Sequence, residues 1–379
     1  MIQALVLAAG RSRRMGQFKP LLPLGSSTAL ALIVETFRTA GVEDIIAVSG
    51  HRHRQTAEAC ADLRIDCVAN PDHRLGMYSS VLAGARSLSG SCRAFFVLPA
   101  DIPLVRPWTI RRLVQAFEET RPAAALPCFL DKRGHPPLIS SELLPTILDH
   151  DGSGGLRRVL KMSAKRIAEI DVFDRNILLD LDRPDDLPIA RQRLNRLRRL
   201  DRGEAMALAE RIIALPPVGL AHGQAVGLTA EAMARAANRA GASLDPELAF
   251  AGGLLHDAAK GVPNHEEAGA RLLLDMGLED LAPIVAVHRD IELSEADPIA
   301  EPELVSLADK LVRGRERISL EERFQELIDR HRNDSEKLAA IKRRRANART
   351  VRARVERLIG HDLGSVLPDL SRRRLAEPP

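Results

Sequence analysis

Four cationic side chains, Arg11, Arg13, Arg14 and Lys19, follow closely on the small-residue run Ala8-Ala9-Gly10. Small residues let a backbone approach a ligand, and the amides of such a loop can face an anion. With the added positive charge, a polyphosphate is the natural partner. The order of residues is neither G-x-x-x-x-G-K-S/T nor G-x-G-x-x-G, which sets aside the P-loop and dinucleotide readings. Asp101 lies at the mouth of the apolar run Phe96-Val97-Leu98, between Pro99 and Pro103. Alone it reads as a helix N-cap. Beside a triphosphate it can hold Mg2+, which usually takes one or two carboxylates plus phosphate oxygens. Far along the chain, His256 and Asp257 follow Gly252-Gly253-Leu254-Leu255. Burying such a pair costs desolvation unless something compensates, and a cation would do so. The plain alternatives are a loop with solvated arginines and a satisfied core histidine.

The elements that must position these residues are legible in outline. The run Ile2 to Leu7 is short, apolar and uncharged, as a strand buried on both faces should be. Helical spacing over 30–39, 55–63, 77–88 and 108–120 alternates with strand-like runs over 44–48, 65–69, 93–98 and 123–129. This βαβα alternation predicts an α/β fold, a parallel or mixed sheet in three layers, with ligands at the carboxyl ends of strands. Asn176 to Asp182 reads as a further strand ending in acids, followed by a proline-started helix. Between strand and helix, Asn70, Gly76, Ser79 and Ser80 could approach a ligand or cap the helix. From 189 to 202 a Leu- and Arg-rich helix reads as a packed stripe with a solvated basic face. Beyond it no strand pattern is convincing, and the remainder reads as all-α, with helices at 203–215, 222–240, 246–260, 265–276, 281–287, 301–317 and 320–331. A basic helix over 336–359 carries Lys342-Arg343-Arg344-Arg345, with Leu338, Ile341, Val351, Val355 and Leu358 to pack it. The tail, with Arg372-Arg373-Arg374 and Pro378-Pro379, is expected to fray.

A length of 379 residues fits two or three domains. The expected division is 1–190, a basic linker at 191–202, 203–335, and a terminal helix and tail at 336–379. The formal net charge of +4 is too small to imply nucleic acid or membrane. Aromatic residues make only 3% of the chain, against a stacking platform for single strands. Cys60, Cys67, Cys92 and Cys128 form no C-x-x-C pair and read as buried thiols in a reducing compartment. Met1 runs straight into a strand and no apolar run approaches the length of a bilayer span, so a soluble cytoplasmic protein is expected.

The opening stretch resembles the MobA/MocA-like nucleotidyltransferases, whose motif L-A-A/G-G-x-S-x-R-M-G-x-x-K-x-L-L is matched from Leu7 to Leu22. The resemblance implies that Leu7, Ala8, Ala9, Gly10, Arg11, Ser12 and Lys19 wrap a nucleoside triphosphate. Lys19, with Arg14 beside it, would neutralise charge during attack on the α-phosphorus. Ala9, where guanylyltransferase relatives tend to have glycine, leans toward CTP. The family's N-x-x-x-x-G-M-x-x-S turn is matched by Asn70, Gly76 and Ser79, which in relatives helps hold the nucleotide. Its D-x-P motif is matched at Asp101. Its D-x-D-T-P-E-D is matched at Asp180 to Asp186 with Arg183 for threonine, making Asp182 the second magnesium ligand and Asp180 the fallback. Relatives carry G-H-P near the acceptor substrate, here at His135, which could orient an acceptor phosphate or simply shape a turn. Asp151 falls in an altered G-D-x-G-x-R, with His150 for the first glycine and one residue inserted. The implied reaction is transfer of CMP from CTP to molybdopterin with release of pyrophosphate; a phosphosugar, phosphocholine or other small phosphate is the alternative acceptor.

In the second half, His222, His256-Asp257 and Asp309 resemble the H, H-D, D ligand pattern of the HD phosphohydrolase superfamily, and Leu255 to Gly261 resembles its L-H-D-x-x-K-G core. There a metal polarises phosphate and lowers the pKa of bound water. Lys260, one turn from His256, could hold phosphate. His265 and His288 fall where two-metal members have extra ligands. Nitrogen and oxygen donors without thiolate permit Mn, Fe, Ni, Mg or Zn. The alternative from another class is a helical sensor or interaction module without catalysis.

Overall fold

The computed structural model describes residues 1–163, 166–293 and 297–370, so the basic tail from Arg372 lies outside the described residues. The chain divides into two units, Met1–Leu197 and Arg198–Pro379.

In chain order the first unit contains β1 (Ile2–Ala8), β2 (Pro23–Leu24), β3 (Ser27–Thr28), α1 (Ala29–Thr39), β4 (Asp44–Ser49), α2 (His53–Leu63) and β5 (Asp66–Ala69). There follow α3 (Met77–Ala85), β6 (Ala94–Pro99), α4 (Pro107–Thr120), β7 (Ala124–Phe129), β8 (Lys132–Arg133) and β9 (Leu138–Ser140). The unit ends with α5 (Leu144–Asp149), α6 (Gly155–Met162), β10 (Ile167–Asp171) and α7 (Asp186–Leu194). One eight-stranded sheet runs β10-β7-β9-β6-β1-β4-β5, with β8 on β7. Strands β1, β4, β5 and β6 are parallel, and β9 is antiparallel to both β6 and β7. The sheet is therefore mixed. The central strands β1 and β6 are buried almost throughout because their apolar residues are covered on both faces.

Backbone bonds tie together the loops at the carboxyl ends of the parallel strands. Ala100 N donates to Leu7 O (3.1 Å), His51 N to Ala9 O (3.2 Å) and Asn70 N to Ser49 O (2.7 Å). A Cβ on Gly50 would lie 2.6 Å from His73 Cβ and 2.8 Å from Ala9 Cβ, so only glycine permits this closeness.

The expected strand over 176–182 is not formed. A 3-10 turn, Arg175–Leu178, replaces it, and the strand in this region is β10, earlier in the chain. The cause is Asp174, which is fully buried. Its carboxylate accepts from Arg106 N (2.7 Å), Thr109 Oγ1 (2.8 Å) and Asn176 N (3.1 Å), and so winds the chain locally. Beyond the turn, Leu181 N donates to Asp101 O (2.8 Å), which carries Asp182 to the end of β6. Asp174→Ala should lower unfolding free energy by about 3–5 kcal/mol, because it leaves the buried Arg106 without its carboxylate; urea denaturation would read the loss. The helix expected over 189–202 is instead α7, which starts at Asp186 and stops at Leu194.

The second unit contains α8 (Arg202–Ala207), a π-helical turn (Leu208–Ile212), α9 (Pro217–Arg239), α10 (Pro246–Leu255), α11 (His265–Asp275), α12 (Ala282–Val287) and α13 (Glu301–Lys310). After these come β11 (Val312–Arg313), β12 (Glu316–Arg317), α14 (Leu320–Arg330) and α15 (Ser335–Ile359). The helix expected over 301–317 stops at Lys310, because Gly314, at φ +60, turns the chain into the β11–β12 hairpin. Helices α9 and α10 touch backbone to backbone. A Cβ on Gly223 would meet Leu254 O at 2.3 Å, and one on Gly253 would meet Gly227 Cα at 2.6 Å. This closeness brings His222, before Gly223, to His256, at the end of α10. Ile341, Val351 and Val355 of α15 are buried. No helix of the described residues is long and apolar enough to cross a membrane.

Candidate functional site

A cavity of about 270 Å³ opens at the carboxyl ends of β1 and β6. Leu7, Ala8, Ala9, Gly10, Ser12, Lys19, Gly76 and Asp101 line it, all of them sequence candidates. Ser12 shapes the loop: at φ 52 its carbonyl accepts from Gly16 N (3.2 Å) and its Oγ from Lys19 N (3.0 Å). The Lys19 ammonium therefore points to one place. Its Nζ lies 2.9 Å from Asp101 Oδ2 and 2.7 Å from Asp182 Oδ1, while Arg14 Nη1 lies 2.9 Å from Asp182 Oδ2.

Residues far apart in sequence thus form one charged cluster beside the loop. Burial opposes the Lys19 charge, yet hydrogen bonds to Asp182 and Asp101 hold its pKa above the ordinary lysine value. The Lys19 hydrogen bond holds Asp182 below the ordinary carboxylate value. Asp180, the fallback ligand, sits beside them; desolvation and then the charges of Asp101 and Asp182 raise it. It reaches the site from an irregular segment rather than a strand face. The ammonium standing between two carboxylates marks where a hard cation would fit, and oxygen donors of this kind suit Mg2+.

Three nucleotide-binding candidates are placed otherwise. Asn70 is buried, and its side chain is used up within the turn: Nδ2 donates to Ser79 Oγ (2.9 Å) and Ser80 Oγ (3.0 Å), and Oδ1 accepts from Asp72 N (2.9 Å). Ser79 Oγ donates to Asp72 O and Gly76 O, closing that turn, and it is Ser80 that lines the cavity. Arg11 is exposed and outside the lining. His73, Met77 and Ala100 line the cavity though absent from the expected set; the loop pattern around Gly76 and Asp101 was the signal for them. Of the acceptor candidates, His135 is half-buried, with its pKa lowered by burial against the pull of Asp101. Asp151 is exposed and accepts from Ser153 N (2.8 Å), a local turn outside the cavity lining.

The second unit gathers all six expected ligands. His222 Nε2 and His256 Nε2 lie 3.4 and 3.5 Å from Asp309 Oδ1, and His256 Nε2 lies 3.5 Å from Asp257 Oδ2. On the other side of Asp257, Oδ1 lies 3.4 Å from His265 Nε2 and 3.8 Å from His288 Nε2. Two groups of mutually close donor atoms result, His222-His256-Asp257 and Asp257-His265-His288, and Asp257 belongs to both.

The imidazoles are oriented from behind. Nδ1 of His256 lies 2.7 Å from Gly253 O, Nδ1 of His288 2.7 Å from Val285 O, and Nδ1 of His222 3.2 Å from Gly314 O. With Nδ1 of each ring at a carbonyl, it is Nε2 that faces the carboxylates, the nitrogen a metal would take in place of a proton. His256 Nε2 is buried without a hydrogen-bond partner. Separations of this size are long for hydrogen bonds and suit atoms sharing one ion at about 2.1 Å each.

Charge tells the same story. Burial disfavours a proton on His256, but Asp257 and Asp309 raise it to about 9. A divalent ion at Nε2 would take that proton's place. Burial and then the His256 charge lower His288 to about 4. Asp257 and Asp309 are held below the ordinary carboxylate value against their own burial. Lys260 Nζ lies 2.5 Å from Asp257 Oδ2. The sequence reading missed Lys310, a buried lysine whose Nζ donates to His288 O (2.7 Å) and lies 3.2 Å from Asp309 Oδ2. A lysine at the end of α13, between the mostly apolar run Leu304 to Ala308 and Leu311, is its only signal in the sequence.

Known proteins agree with both halves. The model of the MobA-like NTP transferase domain matches residues 4–169, and that of the HD domain matches residues 219–314. A molybdenum cofactor cytidylyltransferase of Escherichia coli is 30% identical over 193 residues, 51% of this chain and 96% of that protein. The bifunctional protein GlmU of Geobacter sulfurreducens is 34% identical over 121 residues, 31% of this chain and 25% of that protein. A solved nucleotidyl transferase from Methanothermobacter thermautotroptrophicus is 28% identical, with a TM-score of 0.46, over 52% of this chain and 98% of that one. With its amino-terminal half aligned along nearly the whole of that cytidylyltransferase, the chain belongs to the MobA-like NTP transferase family and carries an HD domain behind it.

Proposed function

We propose that the first unit transfers CMP from CTP to molybdopterin, and that the second hydrolyses a phosphate ester or anhydride, in the cytoplasm. The observation that carries the transferase half is Lys19 Nζ set between Asp101 and Asp182 at the edge of the small-residue cavity. In this reading the backbone of Ala8 to Gly10 and the loop cations grip the triphosphate. An acceptor phosphate oxygen bonds to the α-phosphorus, and the bond to the bridging oxygen breaks, its electron pair leaving with pyrophosphate. Lys19 offsets the charge that develops on the α-phosphoryl oxygens. Mg2+ on Asp101 and Asp182 would neutralise the same oxygens and the departing pyrophosphate. Ala9 in the loop and the cytidylyltransferase relative support CTP over GTP.

A second reading keeps the chemistry and takes a phosphosugar or other small phosphate as acceptor; the match to GlmU over 121 residues favours it. Pyrophosphate release from CTP and from GTP, with molybdopterin and with a panel of sugar phosphates, separates the two. Turnover of CTP with molybdopterin alone is expected. Turnover only with a sugar phosphate would replace the first reading by the second.

For the second unit, hydrolysis rests on the shared Asp257 and the unpartnered Nε2 of His256. Mn, Fe or Ni suits these nitrogen and oxygen donors. When bound, such an ion lowers the pKa of a water and polarises phosphate. Asp257, His222, His256 and Asp309 would hold one ion, and Asp257, His265 and His288 a second, with Lys260 beside Asp257 to meet a phosphate oxygen. The alternative is a non-catalytic sensor beside the transferase; phosphate release by the metal-loaded chain would decide against it, and its absence would favour it.

A further inference from the structure

The HD centre opens into a cavity of about 540 Å³ lined by His222 and Asp257 and by two further kinds of side chain. Ile213, Leu215 and Val218 make an apolar lip in the segment before and at the start of α9, with Val218 80% exposed. A single exposed valine needs no explanation, but three aliphatic side chains on one cavity that also holds metal-ligating groups do. The remaining feature is cationic: Lys260, Arg313 and Arg323 line the same space. Lys260 has Asp257, and Arg313 Nη1 lies 2.5 Å from Glu326 Oε1. Arg323, half-buried on α14, is different, since its side chain has no hydrogen bond or ion pair among the described residues. The one acid among the described residues lining the cavity, Asp257, is taken by Lys260, so the partly desolvated Arg323 guanidinium is left to meet an anion that a ligand brings.

We infer that this cavity takes an organic diphosphate, or a longer phosphoanhydride, in preference to a phosphomonoester or inorganic pyrophosphate. One phosphate sits over the histidine and aspartate centre, a second on Arg323 with Arg313, and the carbon body on Ile213, Leu215 and Val218. This rests on the phosphohydrolase reading of the second unit. The space is in the range that holds small organic ligands and is far larger than pyrophosphate fills. In the hydrolysis, water oxygen bonds to the phosphorus over the centre and the bridging P–O bond breaks. Its electron pair leaves with the other phosphate; one proton of the water stays on a product phosphate and the other goes to solvent.

Titration calorimetry on the full Mn2+-loaded chain tests the inference with three probes: α,β-methylene adenosine diphosphate, adenosine monophosphate and methylenediphosphonate. The parent is expected to bind the first at least about tenfold more tightly than either of the others. Arg323→Gln is expected to lose about tenfold for the methylene diphosphate and to leave the monophosphate unchanged, with Arg323→Lys retaining most of the affinity. Leu215→Asp is expected to weaken both adenosine ligands and spare methylenediphosphonate. Because Arg323 lies in the second unit, the difference between parent and variant isolates this cavity. Equal affinity for the monophosphate and the diphosphate, or an Arg323→Gln chain with unchanged melting temperature and unchanged diphosphate affinity, would overturn the inference. Phosphate release distinguishes the other failure: a metal-loaded chain that hydrolyses no ester or anhydride of a broad panel removes the phosphohydrolase reading itself.

Discussion

Replacing Asp101 by asparagine should lower pyrophosphate release by about 10³-fold, about 4 kcal/mol of transition-state stabilisation. The carboxylate lines the cavity and touches Lys19 Nζ at 2.9 Å, so the substitution removes charge from the point where cation, loop and phosphate would meet. Lys19→Ala should cost about 10²–10³-fold, the usual cost of removing one preorganised donor from a developing oxyanion. The two variants should differ in metal binding. Without Lys19, the carboxylates of Asp101 and Asp182 lose their ammonium, and Mg2+ should bind at least as well as in the parent. Without the Asp101 charge it should bind more weakly. Steady-state rates together with Mn2+ titration in the presence of nucleotide read both effects. Asp101 caps no helix, since α4 starts after Arg106, so an Asp101→Asn chain of parental activity would show that the carboxylate does no more than pair with Lys19.

The second large effect is on metal content. Asp257 is the one residue common to both groups of donor atoms in the HD domain. Asp257→Ala should therefore take bound transition metal from about two ions per chain to essentially none, as elemental analysis after gel filtration would record. His265→Ala should remove only the ion that His265 shares with His288 and leave His222, His256, Asp257 and Asp309 loaded. Equal loss in the two variants would speak for one ion instead of two. Phosphate release should fall with Asp257→Ala to background, since no donor set would remain intact on either side of the missing carboxylate.

What the sequence makes legible here follows from how local each signal is. The loop from Ala8 to Lys19 and the turn at Asp101 are bounded by buried strands and by small or proline residues, so position along the chain already placed them at strand ends. The six candidate ligands of the HD domain are legible by residue type and order, as H, H-D and D with two further histidines. Asp182 was named as a ligand but given the wrong support, because 176–182 reads as a strand. The decisive contacts are the donors that converge on buried Asp174 and the bond from Leu181 N to Asp101 O, and both are nonlocal. Strand β10 was missed for a related reason: Ile167 to Asp171 is only half-buried at the edge of the sheet and shows no apolar alternation. The β11–β12 hairpin is too short to carry any period, yet through Gly314 O it orients His222. By type alone Asn70 and Ser79 read equally as turn or cap residues and as ligand contacts, since the hydrogen bonds they make within their own turn are of the kind they would offer a nucleotide.

The most direct measurement is the anomalous scattering of Mn2+ in crystals of the full chain grown with a non-hydrolysable CTP analogue. The expected result is a manganese peak about 2.1 Å from oxygens of both Asp101 and Asp182, with Lys19 Nζ moved onto the α-phosphate and the triphosphate along Ala8 to Gly10. A nucleotide bound elsewhere, or a manganese ion that touches neither aspartate, would contradict the assignment of this cavity as the nucleotidyl-transfer site.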